Sequence, residues 1–132
     1  MKCIRLLYKL WIASLACMPL CFAGCGGSAQ GTPLDSAQAR EALRLALESW
    51  QKGASPASLK ERQPPIHVVD HQWRGGYQLV RYQLGTEGQI GASLRCQAQL
   101  SLKNAKGKSL HKKAVFSVGT SPVLTVHREE DP

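Results

Sequence analysis

Two histidines and a carboxylate stand close together in one short segment of this sequence, His67-Val-Val-Asp70-His71. On a helix, two histidines four positions apart share one face and could hold a zinc ion. The segment is rich in β-branched residues and follows Pro64-Pro65, so we predict a strand, along which the two positions lie about 13 Å apart, too far for one metal. We therefore expect no metal site, and we expect Asp70 to cap a turn before Trp73.

An enzyme would need polar partners beyond this segment. The other candidates are Arg81, Tyr82, Arg95, His111 and His127. The sequence contains no Gly-rich phosphate loop, no nucleophile elbow and no paired Cys motif. We therefore predict that the protein is not an enzyme and carries no cofactor.

The first 24 residues have the anatomy of an export signal. Three basic residues within the first nine positions precede an apolar run, residues 10–23, which is interrupted only by Ser14 and Pro19. A membrane-spanning helix needs about 20 consecutive apolar residues, and Pro19 together with the small residues 23–27 ends the run before a comfortable span. The pattern is typical of a secretory signal peptide.

The segment Phe22-Ala-Gly-Cys25 resembles the lipobox of bacterial lipoproteins, whose usual form is Leu-Ala/Ser-Gly/Ala-Cys. The resemblance implies cleavage after Gly24, attachment of a diacylglycerol to the Cys25 thiol and acylation, for example with palmitate, of the new amino terminus. Two or more acyl chains give lasting membrane attachment. Phe22 stands where Leu is usual. Ordinary cleavage after Ala23, which would give a secreted protein, and an uncleaved anchor are the alternatives.

We predict four parts in the chain: a lipoprotein signal peptide over 1–24, a flexible tether over 25–34, a single α+β domain over 35–128 and an acidic tail over 129–132. Without residues 1–24 the chain has 14 Lys and Arg against 9 Asp and Glu, a net charge of +5. The charges are spread, and no aromatic platform for nucleic acid is evident. The expected partners are the membrane, through the lipid anchor, and an envelope protein; the oligomeric state stays open.

The domain that carries these side chains begins with a helix predicted over residues 36–52. Its apolar residues recur at spacings of three and four and form one stripe: Ala39, Leu43, Ala46, Leu47 and Trp50. Asp35 or Ser36 can cap the start of this helix, and Gly53 can cap its end. A second, shorter helix is predicted from Ser55-Pro56, because Pro is favoured at the first helical position.

Strands are predicted over the rest of the domain, at residues 66–70, 77–84, 92–103, 110–118 and 123–127. In the second strand, Val80, Tyr82 and Leu84 alternate with Leu79, Arg81 and Gln83, and a turn is predicted over 85–88. The third strand alternates without interruption and has one apolar face that includes Cys96, which we expect to be a core residue. Its other face is polar and carries Arg95, Gln97, Gln99 and Lys103.

Helices followed by a run of strands predict an α+β fold. We expect one long amphipathic helix and one short helix, packed on a curved antiparallel sheet of four to five strands. The lone thiol of Cys96 would leave this domain without a disulfide if Cys25 is lipidated. If Cys25 is free, a disulfide with Cys96 or between two molecules is the alternative.

The run Ala42–Gly53, followed by Pro56, Leu59 and strands, resembles the opening of nuclear transport factor two-like and cystatin-like domains. That resemblance implies a pocket between helix and sheet, in which an Asp and a His act as acid and base on a small apolar substrate. Asp70, with His67 or His71, is the candidate for this role. The inner face of the longest strand is apolar, however, which speaks against a polar pocket.

Three further phrases, Val68-Val-Asp70, Leu79-Val-Arg-Tyr82 and Ser117–Pro122, resemble small uncharacterised lipoproteins of planctomycete bacteria and imply no activity. We therefore predict a membrane-anchored lipoprotein of the cell envelope, facing the periplasm or exterior. Its domain would be a non-catalytic interaction or binding module, docking a partner through the polar face of the third strand. The alternative is a small pocket enzyme or ligand carrier that uses Asp70 with a nearby histidine.

Overall fold

A helix packs on one face of a five-stranded sheet in the computed structural model, which describes residues 32–130. The predicted signal peptide, Cys25 and the tether up to residue 31 lie outside the described residues, as do Asp131 and Pro132 of the predicted tail. No helix within residues 32–130 is long and apolar enough to cross a membrane.

Three helical segments surround the first strand. Helix α1 (Ser36–Gln51) is capped by the preceding residue, Asp35, whose side chain accepts a hydrogen bond of 3.0 Å from the backbone N–H of Gln38. A 3-10 helix (Pro56–Glu61) follows it, and α2 (His71–Arg74) is a single short turn. The residues that α1 buries are Ala39, Ala42, Leu43, Ala46, Leu47 and Trp50.

The strands are β1 (Ile66–Val69), β2 (Gln78–Ile90), β3 (Ser93–Lys103), β4 (Ser109–Gly119) and β5 (Leu124–Arg128). Their order across the sheet is β1-β5-β4-β3-β2, so β1 and β2 are its two edges and the sheet is not closed. Strands β2 to β5 are antiparallel neighbours, whereas β1 runs parallel to β5. The α+β class is confirmed. The expectation of an antiparallel sheet is wrong, because β1 pairs with the last strand, β5, in parallel, and the sheet is therefore mixed.

The core lies between α1 and the inner face of the sheet, which is the face that α1 covers. Strand β3 contributes five residues in strict alternation, all at most 3% exposed: Leu94, Cys96, Ala98, Leu100 and Leu102. Phe116, Val118, Leu124 and Val126 continue this layer on β4 and β5. The opposite side chains of β3 point to the outer face, as period-two alternation requires.

Strand β2 departs from the predicted pattern at two bulges. Leu79 pairs with Leu102 but Arg81 pairs with Ser101, so Val80 is an extra residue, and a second register shift lies between Leu84 and Glu87. A bulge leaves one residue unpaired and changes which side chains share a face. Leu79 and Tyr82 therefore both lie on the inner face, Leu79 buried and Tyr82 half-buried, although simple alternation placed them on opposite faces of the sheet.

The predicted turn over 85–88 is also wrong. Strand β2 continues through this segment to Ile90, and the chain turns at Gly91-Ala92, where Gly91 has a φ of 59°. Glycine adopts that left-handed conformation without the steric cost that a Cβ would bring. Gly85 lies within the second bulge and Gly88 pairs with Arg95 just after it, so neither glycine belongs to a hairpin turn.

Candidate functional site

Asp70 is fully buried and belongs to a polar cluster beneath α2. Its Oδ1 accepts hydrogen bonds from the backbone N–H groups of Gln72, at 2.9 Å, and Trp73, at 3.1 Å, and so caps the start of α2. The guanidinium Nη1 of Arg128 lies 3.5 Å from the same Oδ1 and donates a hydrogen bond to the Gln72 side-chain oxygen. Asp70 thus holds two backbone amides and one cation in the interior.

The two histidines predicted to act with Asp70 do not contact it through a hydrogen bond in the described chain. His67 is half-buried on β1, and His71 is the exposed first residue of α2. Neither imidazole hydrogen-bonds to Asp70 in the described chain, and the cap expected at Asp70 belongs to a helical turn. Within residues 32–130, no three His, Cys, Asp or Glu side chains come close enough together to hold a metal ion.

Arg128 is the polar residue that the sequence reasoning missed. It is 5% exposed and lies on the inner face in phase with Leu124 and Val126. The period-two spacing of these three positions could have revealed it, but the predicted strand stopped one residue earlier. The inner face is therefore apolar on β3 and carries a buried ion pair on the β1–β5 side.

The outer face of the sheet carries the predicted polar residues and several others. Register places these side chains side by side across β2, β3 and β4: Arg81, Gln83, Arg95, Gln97, Gln99, Lys103, His111 and Lys113. All of them are exposed. We call this set the outer polar face. No element of the described chain covers it.

The charge on the outer polar face is positive. Arg95 forms a forked contact with Glu129, at 2.8 to 3.0 Å, and this guanidinium lowers the pKa of the Glu129 carboxyl from its usual value. Arg81, Lys103 and Lys113 have no carboxylate partner within residues 32–130. These three cations are available to an anionic surface.

An open cleft of about 700 Å³ lies at the β1 edge, between the 3-10 helix and α2. Its walls include His67, Val68 and Val69 of β1 and the stacked indoles of Trp50 and Trp73, whose ring centroids are 5.3 Å apart. The cleft does not include Asp70. We call it the edge cleft.

Cys96 lies in the core, as its place in the alternation of β3 predicts. Its side chain is 2% exposed, and burial raises the pKa of the thiol, with the charge of Glu87 acting in the same direction. Arg40 of α1 pairs with Glu87, with 2.6 Å between the guanidinium Nη2 and the carboxylate Oε1. A thiolate is the reactive form of cysteine, so this environment disfavours reaction at Cys96.

Comparison with protein-family models, with curated proteins and with solved structures gave no significant match to this chain.

Proposed function

We propose that this protein is a lipid-anchored lipoprotein of the cell envelope whose domain is a non-catalytic interaction module. It docks onto an acidic surface of an envelope protein through the outer polar face. The observation that carries the proposal is that, within the described chain, the outer polar face is exposed across β2, β3 and β4 and holds three cations without carboxylate partners, Arg81, Lys103 and Lys113.

The alternative, a small pocket enzyme, is less well supported by the geometry. Its acid–base role needs Asp70 and a histidine at one accessible cavity, but Asp70 is 1% exposed and pairs with Arg128. His67 lines the edge cleft without Asp70. A helix packed on one face of a strand meander agrees with the nuclear transport factor two-like or cystatin-like layout that we infer for the domain, and such a layout does not by itself imply catalysis.

A lipid anchor at Cys25 and a short flexible tether would confine the domain to the membrane surface. The residues between Cys25 and the domain are small and polar, which is the composition of flexible linkers. Confinement raises the effective concentration of a neighbouring membrane protein, so weak contacts of a polar face suffice for docking.

The anchor is tested by the intact mass of the protein purified from its native membrane fraction. We expect a chain that begins at Cys25 and carries diacylglyceryl and acyl groups. A Cys25→Ser variant should lose both groups and leave the membrane fraction, because no sulfur remains to carry the diacylglycerol. An unmodified wild-type chain that starts at Gly24 would contradict the anchor.

Docking is tested with a photo-crosslinking residue placed at Gln97, in intact membranes. We expect cross-links to an acidic segment of one envelope protein. The variant Lys113→Glu should reduce their yield about fivefold, since an exposed ion pair contributes up to about 1 kcal/mol. Added salt should have the same effect, because it screens exposed charges.

The matched control is Lys52→Glu, which makes the same charge change at an exposed position after α1. Equal losses from Lys113→Glu and Lys52→Glu would show a non-specific effect of net charge. Cross-links to a segment without acidic residues would contradict the proposed partner chemistry.

A further inference from the structure

The edge cleft is lined by residues from both faces of β1, an edge strand of the sheet. Successive side chains of a strand point to opposite faces. Three successive residues, His67, Val68 and Val69, nevertheless all line the cleft. Because β1 is an edge strand of the sheet, contact with both of its faces points to a cavity that extends beside its unpaired edge.

The backbone of β1 offers unused hydrogen-bonding groups at this edge. Strand β1 pairs only with β5, in parallel register from Ile66 with Leu124 to Val69 with His127. In such a pair, alternate residues direct their N–H and C=O groups away from the partner strand. Within residues 32–130, no backbone group outside β5 hydrogen-bonds to Ile66–Val69. An extended chain placed in the cleft would find these groups free.

The charge of the edge cleft has one sign. Its lining contains two cations, Lys60 and Arg74, and no carboxylate side chain. Lys60 and Arg74 have no carboxylate partner within the described part of the chain. The cleft is therefore complementary to an anionic ligand.

The wall opposite β1 is held in place by the two indoles. Trp50 donates a hydrogen bond of 2.7 Å from Nε1 to the carbonyl oxygen of Tyr77, and Trp73 donates one of 2.8 Å to that of Ala54. The rings are nearly parallel, with an interplanar angle of 9°. These contacts fix both segments that flank the cleft, so binding requires little ordering of the protein.

We propose that the edge cleft binds an extended acidic peptide, which adds as a sixth strand beside β1. Main-chain hydrogen bonds to β1 provide affinity, and acidic side chains that contact Lys60 and Arg74 provide specificity. Apolar side chains at the alternate positions contact Val68 and the indole wall. This is a second site, distinct from the outer polar face, and it does not depend on the proposed docking there.

The test uses the mature protein in detergent and a fluorescein-labelled hexapeptide of alternating Val and Glu, followed by fluorescence polarisation. We expect saturable binding tighter than about 1 mM, and increased hydrogen-exchange protection of the β1 amides in the complex. Only alternate amides of an added strand face β1, so of two versions, one N-methylated at its Val residues and one at its Glu residues, at least one should lose about tenfold or more in affinity. The alternating Val and Lys peptide should not bind.

The double variant Lys60→Gln/Arg74→Gln should weaken binding about tenfold. It removes both cations that the acidic side chains contact, and hydrogen bonds to a charged group are stronger than those between neutral groups. The matched control, Lys52→Gln/Lys106→Gln, removes the same charge at two exposed positions outside both the edge cleft and the outer polar face, and it should bind as the wild type does.

Three results would each overturn the proposal. The first is no binding of the acidic hexapeptide up to about 1 mM. The second is equal loss in the two double variants. The third is tighter binding of a single-stranded thymidine hexanucleotide than of the acidic peptide, without protection of the β1 amides, which would assign the cleft to nucleic acid.

Discussion

Replacing Arg128 with methionine is expected to lower the free energy of unfolding by about 3–5 kcal/mol, because it leaves a buried carboxylate without its cation. The Arg128 and Asp70 side chains are 4% and 1% exposed, and their nearest charged atoms are 3.5 Å apart. The remaining oxygen of Asp70, Oδ2, has no hydrogen-bond partner in the described chain. Loss of the guanidinium would also remove the hydrogen bond to Gln72.

The measurement is urea-induced unfolding of Arg128→Met, followed by far-UV circular dichroism. The matched control is Arg95→Met, since Arg95 also pairs with a carboxylate, that of Glu129, but on the surface. Exposed pairs contribute at most about 1 kcal/mol. Equal destabilisation by Arg128→Met and Arg95→Met would contradict the assignment of a buried ion pair.

A second variant separates charge from packing. Asp70→Asn keeps an oxygen that can accept from the amides of Gln72 and Trp73 but removes the negative charge. Combined with Arg128→Met, it should recover part of the stability lost in Arg128→Met alone, because no unpaired buried charge remains. Simple additivity of the two losses would show that the residues act independently.

Replacing Trp50 with alanine should cost about 3–5 kcal/mol in unfolding free energy, as large aromatic truncations in cores do. Trp50 is 2% exposed, stacks on Trp73 and donates a hydrogen bond to the carbonyl oxygen of Tyr77. The substitution opens a cavity, removes the stacking contact and leaves that carbonyl without its donor. All three effects act on the junction between α1, α2 and the start of β2.

The control for this prediction is Trp50→Phe, which retains an aromatic ring but has no N–H group. Its loss should be smaller than that of Trp50→Ala, since most of the buried volume is kept and one hydrogen bond is worth about 1 kcal/mol. Urea midpoints give the comparison, and near-UV circular dichroism reports the aromatic environment. A loss below about 1 kcal/mol in Trp50→Ala would contradict the central place of this side chain in the core.

The sequence predicts the helices and strands well where a single local pattern, such as alternation or capping, determines the structure. The alternation of β3 is uninterrupted, so its side chains divide between core and solvent as the sequence indicates, with Cys96 inside and Gln97 outside. Helix α1 is bounded by Asp35 and Gly53, residues whose conformational preferences suit the two ends of a helix. Such signals depend only on neighbours in the chain.

Strand β2 shows where that reasoning fails. Its two bulges shift the faces of Leu79 and Glu87, and the glycines at 85 and 88 resemble a turn. A bulge is stabilised by contacts made elsewhere, here in part by the Gln51 side chain, which donates to the freed carbonyl oxygen of Val80 at 2.9 Å. No local pattern contains that information.

The α+β class, the alternating faces of β3 and the boundaries of α1 can therefore be predicted from local patterns, because hydrophobic periodicity and capping are properties of short segments. Three other features appear only in the folded chain: β1 lies parallel to β5 at the sheet edge, Asp70 pairs with Arg128, and Lys60, His67 and Arg74 share one cleft. These features join residues far apart in the chain, and such pairings depend on how the whole chain packs.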